Sequence, residues 1–286
     1  MFRSIYDDVK ESFLNGNMIV RIIIVNVVVY MVLALTQALF PAFFNQIFPY
    51  IALPGDVKEL LFKPWTLLTH MFAHTGFFHM AWNMIILYWF GNIVGDLIGD
   101  KRIAPIYFYG GLTGALFFIV SAYLLPSVAS LAIGASAAVL SIVFAAVAIS
   151  PDYRVHLILL GPVKIKFIGL FILFFDLLGV ASNVNTGGHI GHLGGTLFGF
   201  FFIYLLRDGV DLSDIKAIFI KKEPKKRSPL RVEYVAKTVK TNKTTEGKKM
   251  TTEDEVDRIL EKIKREGYDK LTEGEKLTLH KASTKD

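Results

Sequence analysis

The 286-residue chain contains no cysteine. A disulfide framework, a thiolate metal site and a cysteine nucleophile are therefore excluded, and the redox compartment leaves no trace in the sequence. Charge is also scarce through most of the chain: only 10 of the 31 Lys and Arg and 9 of the 25 Asp and Glu precede residue 207. With 53% hydrophobic residues gathered in runs longer than a soluble core helix needs, that scarcity points to lipid as the solvent. Internal repeats are lacking, and so is a path of charges through the apolar runs, which together argue against a transporter. The first run, from Met18, is too long for a removable signal peptide and has no clear small-residue cleavage site after it, so it reads as a retained span.

What remains is six apolar runs, at about residues 18–40, 77–97, 106–125, 131–150, 167–180 and 189–206. The sequence thus predicts an all-α membrane protein: a six-transmembrane-helix bundle over 18–206, with a small cytoplasmic helical hairpin at its C-terminal end. Residues 1–17 mix acids and bases and read as a cytoplasmic arm or an interfacial helix. Residues 41–76 form a long, partly apolar loop that lies partly in the interface, with Trp65 as an anchor. Gly161-Pro162 and Lys164 break the stretch 151–166 into an interfacial hairpin. Residues 207–250 read as a basic linker, whose Lys225-Lys226-Arg227 is attracted to anionic lipid at about 1 kcal/mol per charge. Residues 251–286 form a small helical domain, with capping-box patterns at Thr252-Glu253-Asp254-Glu255 and Thr272-Glu273-Gly274-Glu275 and a stop at Gly267.

Six spans put both termini on one side, and the distribution of basic residues says which. Arg3, Lys10, Arg21, Lys101, Arg102, Arg154, Lys164, Lys166 and the tail fall on one side, and only Lys58 and Lys63 on the other, so both termini are expected to be cytoplasmic. In that arrangement the second, fourth and sixth runs enter from outside. His79, Asn83, Ser136 and His192 then share one depth, in the outer leaflet.

Taken alone, Ser136 between Gly134, Ala135, Ala137 and Ala138 is a packing motif, since small residues let membrane helices touch and a serine can bond the carbonyl one turn back. Ionisable groups in a membrane interior are costly and mark function, and here several gather at one level. His192, Gly195 and Gly199 stand at i, i+3 and i+7, so the glycines allow the histidine's face to approach another backbone, expected to be the fourth helix near Gly134. His79 and Asn83 stand at i and i+4 and project from one face. A serine, a base and two neutral donors are what acyl transfer needs, while a hydrogen-bond network without catalysis is the alternative for the same residues.

In order along the chain, His74-x4-His79-x3-Asn83, Gly134-x-Ser136 and His192-x2-Gly195-x3-Gly199 resemble the rhomboid intramembrane serine proteases over residues 18–206. The resemblance implies that Ser136 is the nucleophile and His192 its general base and acid, a dyad without an orienting carboxylate. It implies an oxyanion site made of His79, Asn83 and the Ser136 backbone amide. His70 and His74 would be structural parts of a membrane-dipping first loop, and residues 182–188 a mobile cap. Substrate would enter from the lipid near the fifth helix. His189, one turn before His192, lacks the glycines at the family's spacing and reads as a neighbour of the site. Four positions depart from the family's pattern: Thr66 follows Trp65, Ala137 follows Ser136, Leu140 replaces an aromatic residue, and Asp96 stands one place late after Gly91. None of these removes a catalytic group. Asp176 in the fifth run has no role in this scheme and reads as a helix-end group or part of the gate.

The expected activity is therefore an intramembrane serine endopeptidase acting on transmembrane protein substrates in a bacterial cytoplasmic membrane. Neither cofactor, metal nor nucleic acid is expected. The rival is a non-catalytic rhomboid-like membrane protein that binds clients or serves quality control.

Overall fold

The structure is a computed structural model that describes residues 2–125, 128–157, 161–214, 252–266 and 268–283. The chain forms two units, Met1–Lys225 and Lys226–Asp286. The first unit opens with helix α1 (Phe2–Asn15), followed by α2 (Met18–Leu39), which starts at an Asn17 cap accepting the Val20 N–H at 3.0 Å. The long connection holds α3 (Pro41–Ile47), strand β1 (Leu53–Pro54), α4 (Val57–Phe62) and the single turn α5 (Thr66–Thr69). Then come α6 (Phe77–Ile98), α7 (Ile103–Leu124), β2 (Leu131–Ala132), α8 (Ser136–Ile149), the hairpin β3 (Arg154–Leu157) and β4 (Gly161–Lys164), α9 (Ile165–Ala181) and α10 (Thr186–Arg207).

Among the described residues four helices are long and apolar enough to cross a membrane: Met18–Leu39, Phe77–Ile98, Asp100–Leu124 and Thr186–Arg207. Helices α8 and α9 are shorter, with 14 and 17 residues. The core lies between α6, α7, α8 and α10, where Leu87, Tyr107, Ile142 and Phe202 are buried. Along α9, by contrast, Phe171, Phe174, Phe175 and Leu178 are exposed, and only Ile165, Gly169 and Asp176 are buried. An apolar exterior of this kind fits lipid rather than water.

Glycine sets the closest approaches, as the spacing in the sixth run predicts. A Cβ on Gly195 would collide with the Ala137 carbonyl, and one on Gly199 with the Ser141 carbonyl. The partner is α8, as expected, although the contact falls at Ala137 and Ser141 rather than beside Gly134. Asn26 adds a polar tie: its Nδ2 donates to Tyr107 Oη at 3.2 Å, and that hydroxyl donates to the Met71 carbonyl at 3.0 Å, fastening α2, α7 and the first loop together.

One end of the bundle is marked by charge. Asp100 accepts the Met18 N–H at 2.9 Å, Arg102 pairs with Asp211 at 2.7 Å, and Arg207 donates to the Ala148 carbonyl at 2.6 Å. Burial would raise the Asp211 carboxyl, but hydrogen bonds from Arg102 and Ser213 outweigh it and hold the group at about 2. Through these contacts Arg207 and Asp211 pack against the bundle. The rest of the expected linker, from 215 to 250 and including Lys225-Lys226-Arg227, lies outside the described residues.

The second unit contains helices Thr252–Glu266 and Glu273–Ser283, with Ile259 and Leu271 buried. The capping box at Thr272 is formed, since Glu275 Oε2 accepts the Thr272 N–H at 2.8 Å and Lys262 Nζ lies 2.8 Å from the same oxygen. The side chains of 252–255 and the stop at Gly267 lie outside the described residues.

Candidate active site

The sequence places Ser136 about five residues into a helix; in the structure it is the first helical residue. The reason is local. Leu131 and Ala132 are extended and pair with Pro54 and Leu53, and Gly134 then turns at φ +123°, a conformation that a side chain disfavours. The first loop holds this turn from behind. Gly55 N donates to the Ser130 carbonyl at 2.8 Å, Gly134 N to the His70 carbonyl at 2.9 Å, and Ala135 N to His74 Nε2 at 3.3 Å. His70 is fixed in turn by its Nδ1, 2.7 Å from the Thr66 carbonyl. Both loop histidines thus have the structural role expected of them, and burial pushes both down to about 4, so they are neutral.

The short α8 also sets the depth of the serine. Its C-terminal end meets Arg207 at the charged end of the bundle, and 14 residues rise about 21 Å, whereas the 22-residue helices rise about 33 Å. Ser136 is therefore recessed by roughly 10 Å from the far ends of its neighbours. His192 is the seventh residue of α10 and reaches a similar level.

The two meet. His192 Nε2 lies 2.7 Å from Ser136 Oγ, and the imidazole is half-buried, 22% exposed. His79 lies on the other side of the turn: a Cβ on Gly134 would stand 2.9 Å from His79 Cε1 and 3.7 Å from Ser136 Oγ. The Ser136 backbone amide sits at the start of α8, where no side chain caps the helix and the first N–H groups have no intrahelical acceptor. Asn83 is buried, and one of its two amide hydrogens is given to the His79 carbonyl at 2.8 Å. Ser136, His192 and His79 are thus gathered, while Asn83 is turned partly onto its own helix.

One group in the cluster was not assigned a role by sequence. Asp176 Oδ1 lies 2.7 Å from His192 Nδ1 and 2.8 Å from His189 Nδ1, and the two rings meet edge to face with centroids 5.6 Å apart. The resemblance implied no carboxylate at His192; the structure puts one there. Its signal was present in the sequence, because Asp176 is the one charged residue in the helical run after Lys166. The three groups offer one ligand atom each within 4.8 Å of one another, a set that suits a transition metal. Hydrogen bonding accounts for the same atoms: with each Nδ1–H donating to Oδ1, Nε2 of His192 is left to accept from the Ser136 hydroxyl. Of the four departures, Leu140 and Thr66 are buried, Ala137 faces Gly195, and Asp96 is exposed near the end of α6, far along that helix from His79.

Comparison with known proteins gives a match of residues 61–209 to the Rhomboid domain and of residues 242–285 to a family of unknown function, DUF6576. RHOMBOID-like protein 12, mitochondrial, of Arabidopsis thaliana is 27% identical over 142 residues, which cover 44% of this chain and 42% of that protein. Rhomboid protease GluP of Bacillus subtilis (strain 168) is 32% identical over 135 residues, covering 47% of this chain and 25% of its own. Presenilin-associated rhomboid-like protein, mitochondrial, of Mus musculus is 28% identical over 152 residues, covering 52% and 39%. The chain thus spans less than half of the length of each of these curated relatives.

Proposed function

Because the chain belongs to the rhomboid family, we propose that it is an intramembrane serine endopeptidase, with Ser136 as nucleophile and His192 as general base and acid. The observation that carries this reading is the 2.7 Å approach of His192 Nε2 to Ser136 Oγ at a recessed level of an apolar bundle. As Oγ bonds to the scissile carbonyl carbon, its proton passes to Nε2, and the oxyanion that forms is held by the Ser136 backbone N–H, His79 and the free amide hydrogen of Asn83. The proton then goes to the leaving amine. A water molecule repeats the sequence on the acyl-enzyme and releases Ser136.

The six helices α2, α6, α7, α8, α9 and α10 are the proposed spans, with both termini on the side of Lys101, Arg102, Lys164, Lys166 and Arg207. In a bacterial cytoplasmic membrane that side is the cytoplasm. The substrate is a transmembrane segment of another membrane protein, entering from the lipid beside α9 with residues 182–185 above it. Helix-breaking small residues favour cleavage, because a regular helix hides the carbonyl that Ser136 must reach.

Co-expression with a panel of tagged single-span reporters tests the reading. Wild type is expected to cleave, Ser136→Ala and His192→Ala to fall to background, and His79→Ala or Asn83→Ala to lower kcat by about 10²-fold. Cleavage that survives in Ser136→Ala contradicts the assignment. A chain that neither cleaves a reporter nor reacts with a serine-directed phosphonate would instead be a non-catalytic client-binding protein.

A further inference from the structure

We propose that Asp176 is a positioning residue that makes the site a Ser136–His192–Asp176 triad, with His189 bracing the carboxylate. The inference rests on the protease reading above and adds a residue to it. Three observations and one principle carry it. Asp176 is 4% exposed on a helix whose other buried residues are Ile165 and Gly169. Burying a carboxylate in an apolar bundle is costly unless it is paired. Its partners are two imidazoles of α10, with no Lys or Arg among them. One of those imidazoles is the ring whose far nitrogen faces Ser136.

The geometry fixes a tautomer. A neutral imidazole carries one proton, on Nδ1 or on Nε2, and a proton on Nε2 would turn a donor toward the serine, where an acceptor is needed. Oδ1 at 2.7 Å holds the proton on Nδ1 and leaves Nε2 free to accept. When Nε2 takes the Ser136 proton, the imidazolium faces a carboxylate, and Asp176 itself takes no proton at any step. His189 donates to the same oxygen at 2.8 Å, which holds the carboxylate in place and gives this second histidine a role. Oδ2 is buried with no protein hydrogen bond, so packing of α9 on α10 does not satisfy the group by itself.

The test uses the full chain in detergent, a reporter cleaved by wild type, and folded molecules counted as the monodisperse fraction on gel filtration. Asp176→Asn is expected to lower kcat per folded molecule by about 10²- to 10⁴-fold with KM little changed, because the amide supports the wrong tautomer. Asp176→Glu restores part of kcat. A kcat for Asp176→Asn within twofold of wild type overturns the proposal. Proton NMR of the wild type with ¹⁵N-labelled histidine needs no variant: a far-downfield His192 Nδ1–H signal is expected, and its absence also overturns it. The two ideas fail separately. Loss of Ser136 dependence removes the protease reading, whereas Ser136-dependent cleavage that is indifferent to Asp176→Asn removes only the triad.

Discussion

Gly195 and Gly199 decide whether His192 can reach Ser136 at all, because each gives its Cβ space to a carbonyl of α8. Backbone cannot retreat as a flexible side chain can. Gly195→Ala or Gly199→Ala is therefore expected to cost about 1–3 kcal/mol or more and to part the histidine from the serine. The measurement is thermal unfolding in detergent together with reporter cleavage. Gly161→Ala is the control: its φ of +70° is strained for alanine, but nothing stands within 4 Å, so about 1–2 kcal/mol of local strain and unchanged cleavage are expected. Unchanged stability in Gly195→Ala would contradict the packing account. At this scale the sequence was legible wherever spacing along one helix carried the information, as for His192, Gly195 and Gly199. Asp176 was legible only as an oddity. Its partner lies 16 residues on, across a turn, and nothing in one sequence says which face of α9 meets α10.

The first loop and the serine turn act as one element, and periodicity describes them poorly. An apolar run from 131 suggested helix, but β pairing with Leu53 and Pro54, together with Gly134, delays the helix to Ser136. In the sixth run the error was opposite: Gly187 and Gly188 read as loop but lie in the first turn of α10, where Gly187 makes room for Phe118, and the left-handed turn falls on Asn183 and Asn185 instead. His70 and His74 give this element a pH signature. Burial holds both at about 4, below the 6.5 of a free imidazole, so unfolding takes up protons between those values. Their contribution to stability is complete above pH 6.5 and shrinks as pH falls toward 4, by up to about 1.4 kcal/mol per pH unit for each group. The melting temperature in detergent is expected to drop between pH 7 and pH 5, and less so in His70→Asn. A melting temperature that holds or rises over that interval contradicts the burial argument.

For the whole molecule, the charged end and the recessed site lie at opposite ends of the bundle, an arrangement that the distribution of basic residues had implied. The absence of cysteine makes the proposed orientation simple to test. In intact bacterial cells, an impermeant maleimide is expected to label Lys58→Cys and to spare Asp208→Cys; the reverse result contradicts the topology. In the C-terminal unit the second capping box was legible, since Thr272 and Glu275 are close in sequence and need no distant partner. The central claim is that Ser136 is a nucleophile activated by His192. It is tested most directly by reacting the full chain with a fluorophosphonate and mapping the adduct by mass spectrometry. The account predicts a single adduct on Ser136 that is lost in His192→Ala; an adduct on another serine, or equal labelling of Ser136 without His192, would contradict it.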